Sequence, residues 1–197
     1  RFYEINSGSI TIDNIDIKDI QLATLRSQIG VVLQDVFLFS TTIAENISFG
    51  QDGMSFEQIM QAAKMADVYE NIMEFPDQFE TILGERGVTL SGGQKQRVSI
   101  ARALAKNPSM LILDDCLSAV DTHTEHKILN NLKKIMVGKT SLIISHRVSS
   151  AKLANRIMVL QDGQIVETGN HLQLMKRKGY YYDLYQNQLN EEDKGLQ

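Results

Sequence analysis

Apolar and polar residues alternate near the start of the chain, and the rhythm changes further on. Ser9–Asp13 alternates, Asp13-Asn14 favours a turn, and Ile15–Ile17 resumes the alternation, which predicts a hairpin. Leu22–Arg26 predicts a short helix. Ile29–Leu33, Met110–Leu113 and Thr140–Ser145 are apolar-rich runs of strand length, the pattern of parallel strands buried on both faces. A helix-rich stretch separates the first two. Ser55 and Gln58 form a capping-box pair ahead of Ile59, Met60, Ala62 and Ala63. A second helix is predicted over Val68–Glu74, before Pro76. A third runs from Ser91 to Ala105 and stops before Asn107-Pro108, because the residue preceding a proline is driven out of the helical region. A helix over Thr124–Met136 follows. Arg156–Gln161 and Gln164–Thr168 flank Asp162-Gly163, a strong hairpin signal. Helices over His171–Lys178 and Tyr181–Asn190 come last, and the polar, acidic stretch from Asn190 to Gln197 is expected to fray.

Apolar strands alternating with helices predict an α/β fold with a parallel sheet. Residues 52–106 interrupt that alternation and read as an inserted helical lobe. Residues 1–51 and 107–197 then form the α/β core, with an antiparallel β element near the N-terminus. Arg1-Phe2-Tyr3-Glu4 has neither an initiator methionine nor a helix cap, and reads as the end of a helix that begins upstream.

The 197 residues, 43% of them hydrophobic, suffice for one globular core with a small lobe. A net charge of −4 argues against a broad basic face and against a nucleic-acid partner. The apolar runs are strand-length, whereas a membrane-spanning helix needs about 20 apolar residues. The single cysteine, Cys116, excludes an internal disulfide and fits a reducing compartment.

Leu90-Ser91-Gly92-Gly93-Gln94 carries the most specific chemistry. Two glycines after a serine let backbone N–H groups come close to a ligand. They lie where a helix begins, so unpaired N–H groups and the positive end of the dipole address one point, which suits phosphate. Ser-Gly-Gly alone is read as easily as a capped helix after a glycine-rich turn. All five residues together arise by chance in a chain of this size on the order of once in ten thousand, from average composition.

This pentapeptide resembles the signature motif of ATP-binding cassette (ABC) ATPases, and other segments follow in that family's order. Gln34, after Ile29–Leu33, resembles the Q-loop glutamine. Met110-Leu111-Ile112-Leu113-Asp114 resembles Walker B, Ser118-Ala119-Val120-Asp121 the D-loop, and His146, after Ile143-Ile144-Ser145, the switch histidine. Gly84-Glu85-Arg86-Gly87 and Leu38–Ile47 resemble phrases typical of exporters. Taken singly, Gln34 reads as a strand-end residue, Asp114-Asp115 as a solvated turn and His146 as a strand-end cap; the order of all of them favours the cassette.

The resemblance implies a RecA-like P-loop NTPase core with a helical subdomain carrying the signature. It implies ATP and Mg²⁺ as cofactors, with Asp114 and Gln34 at the metal. Asp115, His146 and Gln34 would be catalytic, and Ser91, Gly92, Gly93, Gln94 and Asp121 would bind the nucleotide. It further implies a second cassette as partner, transmembrane domains fused upstream, and a place on the cytoplasmic face of the cell membrane, with export powered by ATP.

Two departures qualify this expectation. A phosphate loop reads Gly-x-x-x-x-Gly-Lys-Ser/Thr between a strand and a helix. The one Gly-Lys-Thr here is Gly138-Lys139-Thr140; Lys133 stands where the first glycine belongs, and the triplet follows a helix and precedes a strand. It reads as a loop, the Walker A segment is expected upstream of Arg1, and the isolated chain is expected neither to hold ATP tightly nor to hydrolyse it. The second departure is Asp115, where the family usually places a glutamate as general base. Displacing a carboxylate by about 1 Å lowers the rate on the order of a hundredfold. The expectation is therefore a heterodimer, with this chain lending its signature to the partner's competent site; the alternative is a non-catalytic cassette serving assembly or regulation. A soluble ABC-type ATPase of the chromosome-packing kind is disfavoured, because no heptads separate Gln34 from Ser91. His123, Glu125 and His126 are read as a solvated helix face, Cys116 as packing behind Walker B, and Tyr180–Tyr182 with Tyr185 as helix packing.

Overall fold

The computed structural model describes residues 1, 3–51, 53–84, 90–117, 120 and 122–195. The chain divides into two compact units, Arg1–Leu142 and Ile143–Gln197.

The first unit opens with the predicted hairpin, β1 (Thr11–Ile12) antiparallel to β2 (Ile15–Asp16). Its turn residues Asp13 and Asn14 both have positive φ, 51° and 65°, a conformation that short polar side chains tolerate. Then follow α1 (Leu22–Ser27), β3 (Ile29–Val32), α2 (Ile43–Ser48), α3 (Phe56–Met65), α4 (Tyr69–Met73), a 3₁₀ turn (Gln78–Glu80), α5 (Gly92–Ala105), β4 (Met110–Asp114) and α6 (Thr122–Ile135). β5 (Thr140–Ile144) completes a three-stranded sheet of order β3-β4-β5. β3 and β4 run parallel, from Ile29 opposite Met110 to Val32 opposite Leu113. The second unit holds α7 (Val148–Ala151), the antiparallel pair β6 (Ile157–Gln161) and β7 (Gln164–Gly169), α8 (His171–Arg177) and α9 (Tyr180–Gly195).

Capping chemistry starts four of these helices. Thr42 with Glu45, Ser55 with Gln58, Ser91 with Gln94 and Asn170 with Gln173 each make both bonds of the capping box. The buried face of α5, with Val98, Ile100, Ala101 and Leu104, is the centre of the first unit, and α2, α3 and β3 pack on it. Gly30 permits one of these approaches. A Cβ there would stand 2.7 Å from Pro108 Cγ and 2.9 Å from the Ala103 carbonyl oxygen. The second unit is built on Val148, Ile157, Leu174 and Tyr181.

Three expectations are corrected. Glu125, expected on a solvated helix face with His123 and His126, is buried, while the two histidines are exposed. β3 and β4 are buried on one face only, and no residue of β5 is fully buried. Val32, Leu111 and Leu113 are buried, while Val31, Leu33, Leu142 and Ile144 are exposed, because no described element fully covers their face. The last helix, expected to end at Asn190, continues as α9 to Gly195. Short α2 and α7 were not predicted as helices: α2 has six residues and α7 four, too few to set up a helical period.

Candidate functional site

The register of β3 and β4 places one group of candidates together. In a parallel pair both strands end at the same edge, and ligands of α/β sheets bind beyond that edge. The pairing of Val32 with Leu113 carries Gln34 and Asp115 two residues past it on neighbouring strands. Gln34 Nε2 donates to Asp115 Oδ2 over 3.5 Å. Asp115 is buried, 8% exposed, and adopts a positive φ of 42°, where an aspartate is less strained than most residues. Asp114 is the last residue of β4 and half-buried. Two carboxylates and an amide oxygen are hard donors, and Mg²⁺ in nucleotide sites commonly takes one or two carboxylates together with phosphate oxygens. This donor set fits such an ion, with Asp114 and Gln34 as its candidate holders. Among the described residues no cluster of three or more His, Cys, Asp and Glu could hold a metal.

Ser91 is the N-cap of α5. Its hydroxyl accepts from the Gln94 N–H over 3.2 Å, and its own N–H donates to Gln94 Oε1 over 3.0 Å. The serine therefore shapes the helix start, and Gly92 and Gly93 form its first turn, whose N–H groups have no intrahelical acceptor. Ser91 and Gly92 are exposed, so this end of the dipole faces outward. Arg97 anchors the turn: its guanidinium donates to the Gly93 carbonyl over 3.3 Å, to the Asp67 carbonyl and to Asn71 Oδ1 over 2.9 Å.

His146 belongs to the second unit, two residues beyond β5, and is exposed. Asp121 lies outside the described residues, as do Ser118 and Ala119 of the D-loop segment and Glu85-Arg86-Gly87 before the signature. The Gly138-Lys139-Thr140 triplet has a structural use. Lys139 Nζ donates to Asn107 Oδ1 over 2.7 Å and to the Pro108 carbonyl over 2.9 Å, in the turn that enters β4. It thus lies at the opposite end of β4 from Asp115, as its reversed strand and helix context predicts.

Residues 1–118 match the sequence model of the ABC transporter family. The chain belongs to that family. It is 54% identical over 185 residues to the uncharacterized ABC transporter ATP-binding protein YknU of Bacillus subtilis (strain 168), covering 94% of this chain and 32% of that protein. It is 45% identical over 195 residues to the ATP-dependent lipid A-core flippase of Syntrophus aciditrophicus (strain SB), covering 99% and 32%. The structure of a bacterial Atm1-family ABC exporter with ATP bound superposes with a TM-score of 0.92 at 42% identity, covering 96% of this chain and 33% of that one. The chain thus spans about a third of the length of these relatives.

Within this ABC cassette, sequence reasoning missed Arg102. Its guanidinium donates to the Asn46 carbonyl over 2.8 Å, to Asn46 Oδ1 over 2.7 Å and to the Phe37 carbonyl over 2.9 Å. It also lies 5.4 Å and 5.9 Å from the ring centres of Phe39 and Phe49. The helix that begins with the signature is thereby tied to the segment that follows Gln34. Burial lowers the Arg102 pKa to about 10, which leaves it charged at neutral pH. The available signal was a lone arginine within the apolar run Val98–Ala105.

Proposed function

We propose that this chain is the nucleotide-binding domain of an ABC exporter, working in the full-length protein to couple ATP hydrolysis to transport of a substrate across a membrane. The observation that carries the proposal is the Gln34 amide on the Asp115 carboxylate at the carboxyl edge of the sheet, 3.5 Å apart. Asp114 and Gln34 would hold Mg²⁺, which neutralises phosphate charge when bound. Asp115 would take a proton from the water attacking the γ-phosphorus, with His146 steadying the phosphoryl oxygens. Ser91, Gly92, Gly93 and Gln94, with Asp121, would address the nucleotide held by a second cassette; the outward-facing start of α5 supports that role. The helical segment 52–106 would be the lobe that moves with the nucleotide, and the exposed Phe37 beside Phe39 would pass its motion to transmembrane domains of the same protein, at the cytoplasmic face of the membrane. No helix among the described residues is long and apolar enough to cross a membrane.

Asp115 directs the finer reading, a heterodimer in which this chain's own site hydrolyses slowly. Asp115→Glu in the full-length transporter is expected to raise ATP turnover at this site on the order of a hundredfold, as the longer side chain reaches the water. Turnover by the wild-type homodimer equal to that of the variant would sink the asymmetric reading. Absence of turnover in both, with ATP still bound, would favour the non-catalytic cassette.

A further inference from the structure

His146 is exposed, and the direction in which its side chain can meet a phosphoryl group depends on how its backbone is held. The four-residue helix α7 starts directly after it and is poorly equipped to fix that backbone: Arg147 is its N-cap and makes no side-chain capping bond. The first N–H groups of a helix need acceptors from elsewhere. Two are supplied from outside α7. Ser145 Oγ accepts from the Arg147 N–H over 3.0 Å, and Gln188 Oε1 accepts from the Val148 N–H over 2.8 Å. The same Gln188 amide donates through Nε2 to the His146 carbonyl over 2.5 Å. One partner is an N–H and the other a carbonyl, so only a carboxamide serves both, and its orientation is fixed by them.

Gln188 is in turn held in place. It lies on α9 at helical spacing from Tyr181 and Tyr185. Tyr181 is buried in the core of the second unit, and Tyr185 packs beside it. Tyr185 OH accepts from Lys152 Nζ over 3.3 Å, which joins α9 to the far end of α7.

We infer that Gln188 is a positioning residue for His146: its amide clamps the peptide on both sides of Arg147 and sets the direction in which the imidazole leaves the loop. The inference rests on the reading of His146 as the residue that meets the γ-phosphate. Because this chain's own site is read as slow, the inference is tested in the full-length transporter carrying Asp115→Glu, with Gln188→Leu, which removes both bonds, and with Gln188→Glu. The glutamate keeps the shape and the acceptor for Val148 but sets a carboxylate against the His146 carbonyl, so it separates the clamp from packing.

Both variants are expected to lower ATP turnover at this site about tenfold relative to Asp115→Glu alone, with KM within about twofold, because positioning acts in the transition state. Combined with His146→Ala, neither should slow the enzyme further. Amide exchange over residues 146–150 should quicken in Gln188→Leu. Turnover in both Gln188 variants equal to that of Asp115→Glu alone, or a loss that adds fully to that of His146→Ala, overturns the inference. Failure of the underlying reading has a different mark, turnover in His146→Ala equal to that of Asp115→Glu alone while exchange in Gln188→Leu still quickens.

Discussion

Cys116 follows the candidate base Asp115, and its environment makes it inert. It is 4% exposed, and burial first, then the charges of Asp115 and Asp114, push its thiol from 9.0 up to about 12 against an opposing backbone hydrogen bond. The thiolate is the reactive form, so Cys116 in the native protein should escape iodoacetamide at about pH 8 and become labelled after unfolding. Its effect on stability has a definite sign. Above pH 9.0 the unfolded thiol loses its proton while the native one keeps it until about 12. The stabilisation is therefore complete below the lower value and is lost as pH rises through the window, by up to about 1.4 kcal/mol per unit. Urea denaturation from about pH 8 to about pH 11 should show a shallower fall for Cys116→Ala than for wild type; equal slopes would contradict this account. The sequence alone gave Cys116 a place behind the Walker B strand, since that follows from its neighbours. The positive φ of Asp115 and the reach of Gln188 to His146 were not legible there. Both depend on how segments far apart in the chain meet.

At the scale of elements, reading was most reliable where a local signal and a period coincided. Ser55 with Gln58 and the α5 start at Ser91 were legible because the capping pair and the apolar spacing agree. The sheet strands were legible as strands, while the exposure of one face was not, because a continuous apolar run does not say which neighbours are present. The hydrogen bonds that add to the packing of α2 on α5 were hidden for a different reason: they come from Arg102. Asn46 is fully buried, and its side chain meets Phe39, Thr41, Thr42 and Arg102. Arg102→Leu would strip that network of a charged donor and leave the Phe37 and Asn46 carbonyls without it. The expected loss is about 2 kcal/mol in urea unfolding. Arg102→Lys should recover less than half of it, since a lysine cannot serve three acceptors with a planar fork. Stability of Arg102→Leu within error of wild type would show that water replaces the guanidinium.

At the scale of the whole molecule, the chain contains most of what a cassette shows to a nucleotide but no phosphate loop. Holding ATP tightly needs successive backbone N–H groups cradling the phosphates and a lysine reaching them. The chain's one Gly-Lys-Thr cannot supply these, because Lys139 is bound to Asn107 and Pro108 at the far end of β4. The start of α5 offers N–H groups and a dipole, worth on the order of 1 kcal/mol when exposed. In the cassette reading that end serves a nucleotide held by another chain. The carboxylates at the sheet edge repel phosphate unless a cation lies between. The isolated 197-residue chain is therefore expected to bind Mg-ATP with a Kd of about 1 mM or weaker. Its phosphate release should match a reaction without protein. Titration calorimetry and a colorimetric phosphate assay check the two halves separately. Micromolar binding would mean that Ser91–Gln94 or the Gln34–Asp115 edge captures nucleotide by itself, and Ser91→Ala and Asp114→Asn would then identify which. Weak binding together with turnover in the full-length protein would place the phosphate-holding groups outside these residues and leave this chain the roles of base, metal edge and signature.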